Sequence, residues 1–225
     1  MMRTFLILSI ALLFATCTEN KTPDSNNTKT ADSTTGHDST ISESDKTAKD
    51  TSTGFSGNQL IIPGKSIGKI ELGITDSLLT IKLGKPDMSD AAMGKAWLTW
   101  YGKKKDEHNN STQLNVFTAY KDTSMREKTV QQVHTTSSYF TTENGLHVYS
   151  SLDEIQHKFP KIKKAAIYTD SSREIIIYDE QQQGIAFEIA SANDQNICTG
   201  IIIHQPGIKV TQTYLSLHPD MHIFQ

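Results

Sequence analysis

Pro63-Gly64-Lys65-Ser66 imitates the end of a phosphate-binding loop, in which backbone amides and a lysine cradle a nucleotide. That loop needs a glycine five residues before Gly64 so that the backbone can wrap phosphate, and position 59 is Gln. The tetrapeptide therefore reads as a turn leading into a strand from Ile67 to Leu72. Ser66 and Lys69 have the Ser-x-x-Lys spacing of an acyl-transfer nucleophile and its base. Such a serine belongs at a helix start, with a Lys-Thr-Gly strand elsewhere, and neither context is present. No Gly-x-Ser-x-Gly elbow and no His-Glu-x-x-His pair occurs.

Eight histidines raise the question of a metal. His218 and His222 stand four apart, the spacing that lets two imidazoles share a helix face, but Pro219 intervenes and no third ligand is adjacent. His134 and His204 follow Val133 and Ile203 in what reads as the last strand of two repeated units, so repeat ancestry accounts for both. Asp153 and Glu154 fall in a first helical turn, where acids favour the helix dipole and general acid work is not expected. The expectation is a chain without cofactor, metal or catalysis of its own.

Cys17 offers modification chemistry. It follows a nine-residue apolar run, Phe5 to Leu13, that is preceded by Arg3, and a long stretch of Thr, Ser, Asp, Asn and Lys follows it. This order resembles a bacterial lipoprotein, with Leu13-Phe14-Ala15-Thr16-Cys17 as the lipobox. The resemblance implies that residues 1–16 are removed as a signal peptide and that Cys17 is acylated. The apolar run itself is too short to span a bilayer, which takes about 20 residues. Thr18 stands where many Gram-negative lipoproteins kept at the inner membrane carry Asp, so the resemblance implies the outer membrane, facing the periplasm or the cell surface. Cys198 is then left without a disulfide partner, and in Ile197-Cys198-Thr199-Gly200-Ile201 it reads as a small buried hydrophobe.

Between Thr18 and Asn58 only Ile41 and Phe55 are large apolar residues, too few to offset the ordering entropy, so residues 17–58 are expected to form a lipidated cysteine and a disordered tether. As a coil such a tether spans about 35 Å. Its triplets Asp32-Ser33-Thr34 and Asp38-Ser39-Thr40 resemble O-glycosylation sites of Bacteroidota envelope proteins. The tether holds seven acidic and four basic residues, and residues 59–225 hold eighteen and seventeen. A near-neutral domain has no electrostatic footprint for nucleic acid.

The elements that would position a site come from an internal repeat. Gly73-Ile74-Thr75, Leu79 and Leu83-Gly84-Lys85-Pro86 align without gaps on Tyr149-Ser150-Ser151, Ile155 and Phe159-Pro160, at an offset of 76. Thr75 and Ser151 each stand where a helix needs an N-cap, apolar residues recur at helical spacing, and a breaker ends each helix after two to three turns. Strand signals follow: Ala96 to Tyr101, Gln113 to Tyr120 and Thr129 to Tyr139, then Ala165 to Thr169, Glu174 to Tyr178, Gly184 to Ala190 and Ile197 to His204. The expected units are 59–144 and 145–225, each a short helix leading into antiparallel strands. The expected fold class is α+β, short helices packed on one face of an antiparallel sheet.

The opening Gly-Ile-Thr, Leu79 and Leu83-Gly84-Lys85-Pro86 resemble the envelope lipoproteins related to BamE (SmpA/OmlA) and the repeats of β-lactamase inhibitory protein. The resemblance covers about fifteen residues per copy. It implies a protein-binding module, an inhibitor or an assembly factor, whose partner is another envelope protein. The alternative is a small-ligand carrier or enzyme with a pocket between the two copies. Alternation in Ala96 to Tyr101 puts Trp97, Thr99 and Tyr101 on one face and Leu98 with Trp100 on the other. The second pair is the more apolar and belongs to the core, which makes Trp97 and Tyr101 the candidate partner-binding residues.

Overall fold

A computed structural model describes residues 58–121, 123–192, 195–213 and 220–224. Cys17, the signal peptide, the tether and His218 lie outside the described residues. Strands dominate what is described. A nine-stranded sheet runs, from edge to edge, β13 (His222–Ile223), β9 (Lys163–Asp170), β10 (Arg173–Glu180), β11 (Ile185–Ala192), β12 (Gln195–His204), β7 (Lys128–Thr135), β6 (Gln113–Tyr120), β5 (Lys95–Tyr101) and β4 (Met88–Ala92). Every pairing within it is antiparallel. A second, four-stranded sheet joins β3 (Ile70–Glu71), β2 (Ser66–Ile67), β1 (Leu60–Ile62) and β8 (Thr141–Thr142), with β1 and β8 parallel.

The expected α+β class, helices packed on a sheet, is overturned. Helix α1 (Asp76–Leu83) has eight residues, α2 (Leu152–Lys158) seven and α3 (Val210–Thr213) four, so the described chain is mostly β. The reason is length. Seven- to ten-residue strands rich in Ile, Val, Thr and aromatics fill the sequence between the turns, and helices of two turns cannot cover a sheet nine strands wide. The inner face of the large sheet is instead covered jointly by the small sheet, which contributes Ile61, Ile67 and Ile70, and by the two helices, which contribute Leu79, Leu152 and Ile155. These meet Val116, Val133, Ile185, Phe187, Ile201 and Ile203 from the large sheet in one core.

The caps form where the sequence places them. Thr75 Oγ1 accepts from Leu78 N, and Ser151 makes a full capping box with Glu154. Gly73 holds a left-handed φ of 83°, and Tyr149, its counterpart in the second copy, holds 86°, a conformation costly for an aromatic residue. Gly73 N donates to Val130 O at 2.7 Å, and Tyr149 N donates to Cys198 O at 2.8 Å. Each closing strand also carries a bulge at the matching place, Gln131 in β7 and Thr199 in β12.

Those bulges correct one equivalence. Counted from them, His134 corresponds to Ile202, its own cross-strand neighbour, and His204 corresponds to Thr136. The two histidines are therefore not repeat equivalents. The expected strand from Ile67 to Leu72 is also broken, into β2 and β3, at Gly68 and Lys69. Pro63-Gly64-Lys65-Ser66 is a turn: Lys65 N donates to Ile62 O at 3.0 Å, and Gly64 takes the φ of 67° that such a turn requires.

Candidate functional site

The large sheet has a second, outer face, and near the β7–β12 junction it is polar. Alternation directs Thr99 and Trp97 of β5, Asn115 of β6, Gln132 and His134 of β7 and Glu188 of β11 to this side. Leu98 and Trp100 turn the other way and pack at the fringe of the main core. Further along the outer face, toward β9, a smaller apolar cluster of Ala166, Ile175, Ile177, Ala186 and Ile202 is closed by Val210 of α3. Between Trp97 and that cluster lies a cavity of about 360 Å³ lined by Trp97, Gln113, Asn115, Gln132, His134, Thr136, Tyr168, Asp170, Glu188 and Ile202. An adjoining lobe of about 310 Å³ shares Gln113, Thr136, Tyr168, Asp170 and Glu188 and adds Arg173 and the loop residues Asn110 and Ser111.

A continuous hydrogen-bond chain runs through this site. Thr99 Oγ1 donates to Asn115 Oδ1 at 2.7 Å, and Asn115 Nδ2 faces Gln113 Oε1 at 3.3 Å and His134 Nδ1 at 3.0 Å. With the amide donating to Nδ1, the ring proton sits on Nε2 and points at Glu188 Oε2, 3.1 Å away. The Tyr168 hydroxyl also bonds Glu188, and its acidity is suppressed, first by burial and then by the Glu188 charge. Glu188 is thereby held by two donors from different strands, and His134 has both nitrogens engaged. Gly200 makes the room for this pair. A methyl group there would collide with Glu188 Oε2 and His134 Nε2, so the glycine serves close approach.

One polar atom is left over. Gln132 is 1% exposed, and no donor reaches its Oε1. The rim is built by the β5–β6 loop, which is pinned over Tyr149. The Tyr149 hydroxyl donates to Asp106 Oδ2 and accepts from Asn110 Nδ2, the latter at 2.8 Å, while His108 packs on its ring. The Tyr149 hydroxyl is the main reason that the Asp106 carboxyl titrates below its ordinary range.

Of the two candidate partner-binding residues, Trp97 is half-buried and lines the cavity, whereas Tyr101 is 43% exposed and its hydroxyl reaches Met88 Sδ at 2.8 Å. Thr99 between them is buried in the hydrogen-bond chain. Cys198 is fully buried and burial pushes its thiol up, as suits a small hydrophobe. His222 is exposed on β13, and no group of three or more His, Cys, Asp or Glu among the described residues could hold a metal. Ser66 is buried in β2 while Lys69 is exposed, so the Ser-x-x-Lys pair has no helix to join it.

A separate cavity of about 430 Å³ is rimmed by Lys161, Lys163, Lys164 and Lys209 over the acidic pair Asp179 and Glu180. In its floor Asp179 is committed to structure, accepting from His204 and from Val210 N, whereas Glu180 Oε2 is buried without a hydrogen-bond partner. Sequence reasoning missed Glu188, Asn115, Gln132 and Tyr168. The signals were there for two positions: Glu188 stands between Ala186 and Ala190 on its face of a strand, and Gly200 interrupts one.

No helix among the described residues is long and apolar enough to cross a membrane. No family model matches the sequence, and no curated protein does. A solved structure of a DUF4309 family protein, YjgB, from Bacillus subtilis subsp. subtilis str. 168 is similar at 10% identity over 63% of this chain and 88% of that one, with a TM-score of 0.35, a likeness that carries no argument.

Proposed function

We propose that this chain is a binding protein of the bacterial envelope, held at the outer membrane by a lipid on Cys17 and without chemistry of its own, and that it binds at the outer sheet face around Trp97. The observation that carries the reading is convergence: polar side chains from both halves of the large sheet meet in one cavity and hold one another in fixed rotamers. Catalysis is not favoured by this arrangement. Both nitrogens of His134 and the Glu188 carboxylate are engaged by their neighbours, and the Thr99 hydroxyl is buried and donates to Asn115, so no activated nucleophile is presented.

A concave polar pocket between the copies suits a small ligand better than a flat protein contact, which raises the alternative reading of the sequence above the first. Another envelope protein is the second reading. It is supported by the exposed Tyr101 and by β4, an edge strand whose five residues are all exposed and could accept an added strand.

The test is the double variant Trp97→Ala with Tyr101→Ala. It should keep its circular dichroism spectrum and lose binding, and a variant that binds as before would move the site elsewhere. The anchor has its own test. Cys17→Ser should leave the membrane fraction for the soluble one, and retention through a salt wash would contradict lipidation.

A further inference from the structure

We propose that the ligand of this cavity is an uncharged saccharide, laid with the C–H face of a ring against Trp97 and its hydroxyls toward Gln132 and Glu188; this rests on the reading of the outer face as the binding surface. Four observations point to that chemistry.

The cavity and its adjoining lobe, about 360 and 310 Å³, fall within the roughly 300–1,000 Å³ of small-ligand clefts. Trp97, partly buried, lines the cavity with a ring whose negative π face attracts polarised C–H groups. The wall beside it carries the planar amides of Gln113 and Gln132, while the Asn115 amide is spent on Thr99, Gln113 and His134. Amides pair a donor with an acceptor, and so does a hydroxyl, whereas an ammonium or a carboxylate brings only one kind of partner.

The unmatched atom has the right polarity. Gln132 Oε1 is a buried acceptor without a donor, and such a group in a folded protein calls for a water or a ligand. A sugar hydroxyl supplies the donor.

Charge decides against the other classes. Glu188 and Asp170 line the cavity and repel an anion. A compact cation is not drawn in either, because Glu188 already receives the His134 Nε2–H and the Tyr168 hydroxyl and because Arg173 faces the adjoining lobe. The chain from Thr99 to Tyr168 fixes these groups before any ligand arrives, which keeps the ordering cost of binding low.

The experiment titrates the full mature chain, carrying Cys17→Ser for solubility, with neutral trisaccharides of glucose, mannose, galactose, xylose and N-acetylglucosamine. Trigalacturonate and spermidine serve as the anionic and cationic probes; the readouts are the Trp97 indole N–H resonance in the chain that keeps Trp97 and the calorimetric affinity in every variant. At least one neutral sugar should move that resonance, with affinity falling by roughly tenfold or more in Trp97→Ala and in Gln132→Leu. If Trp97→Ala does not fold, Trp97→Phe, which keeps a smaller ring, should lose part of the affinity. A shift with trigalacturonate or spermidine and with none of the sugars overturns the saccharide and leaves the binding face standing. If the sugars leave Trp97 unmoved, or bind without perturbing it, the saccharide is overturned; if an extract of the native envelope also leaves Trp97 unmoved, the binding face falls with it.

Discussion

His204→Ala should destabilise the fold by about 3–5 kcal/mol, measured by urea unfolding, without altering binding at Trp97. His204 is completely buried, with Nε2 2.9 Å from Asp179 Oδ1 and Nδ1 3.2 Å from Gln205 O. Both ring nitrogens face oxygen atoms, so the imidazole is held on two sides. The second Asp179 oxygen accepts from Val210 N at 3.0 Å, where α3 begins. Removing the ring therefore strands a buried carboxylate and loosens the segment that closes the outer apolar cluster. The double variant His204→Ala with Asp179→Ala should cost clearly less than the sum of its parts, because the stranded charge is gone. Additive losses would mean that the two groups act independently.

Phe159→Ala carries the other large effect, about 3–5 kcal/mol. Phe159 is 2% exposed at the end of α2, and its ring centroid lies 5.4 Å from that of the fully buried Phe187 on β11. Its sequence counterpart Leu83 is only partly buried at the fringe of the core, beside Gly84, whose carbonyl accepts from Trp100 Nε1 at 3.3 Å. Leu83→Ala should accordingly cost less than about 2 kcal/mol. The matched pair is one turn earlier, Leu79 and Ile155, both fully buried. Equal losses at Leu83 and Phe159 would show that the two helix ends are packed alike after all.

What the sequence made legible was local. Thr75 and Ser151 announce helix starts through hydroxyls placed to accept an amide of the first turn, and both caps form. Gln113 to Tyr120 reads as a strand and is one, end to end. Helix signals carry no measure of the area a helix must cover, so two good caps suggested a helical layer where two short helices share the task with a small sheet. That sheet was illegible because its strands are two or three residues long. Thr141-Thr142 has no periodicity to show. The polar chain was hidden for a different reason: His134 and Glu188 are 54 residues apart and meet only because β7, β12 and β11 pair in one register. A bulge at Thr199 shifts the pairing of β12 with β11 by one residue beside Glu188, and the two histidines, 70 residues apart where the matching bulges are 68 apart, only resembled a repeated position.

The most direct test of the binding face uses the two tryptophans. Trp100→Phe, on the inner side, leaves Trp97 as the sole indole of the chain. A dialysable fraction of the native envelope is then added while acrylamide quenching of Trp97 is recorded. The binding face predicts that the fraction shields Trp97 from the quencher, and that Gly200→Ala, which displaces Glu188 and His134, abolishes the shielding while the chain stays folded. Quenching that the fraction leaves unchanged, or shielding that survives in Gly200→Ala, would contradict it.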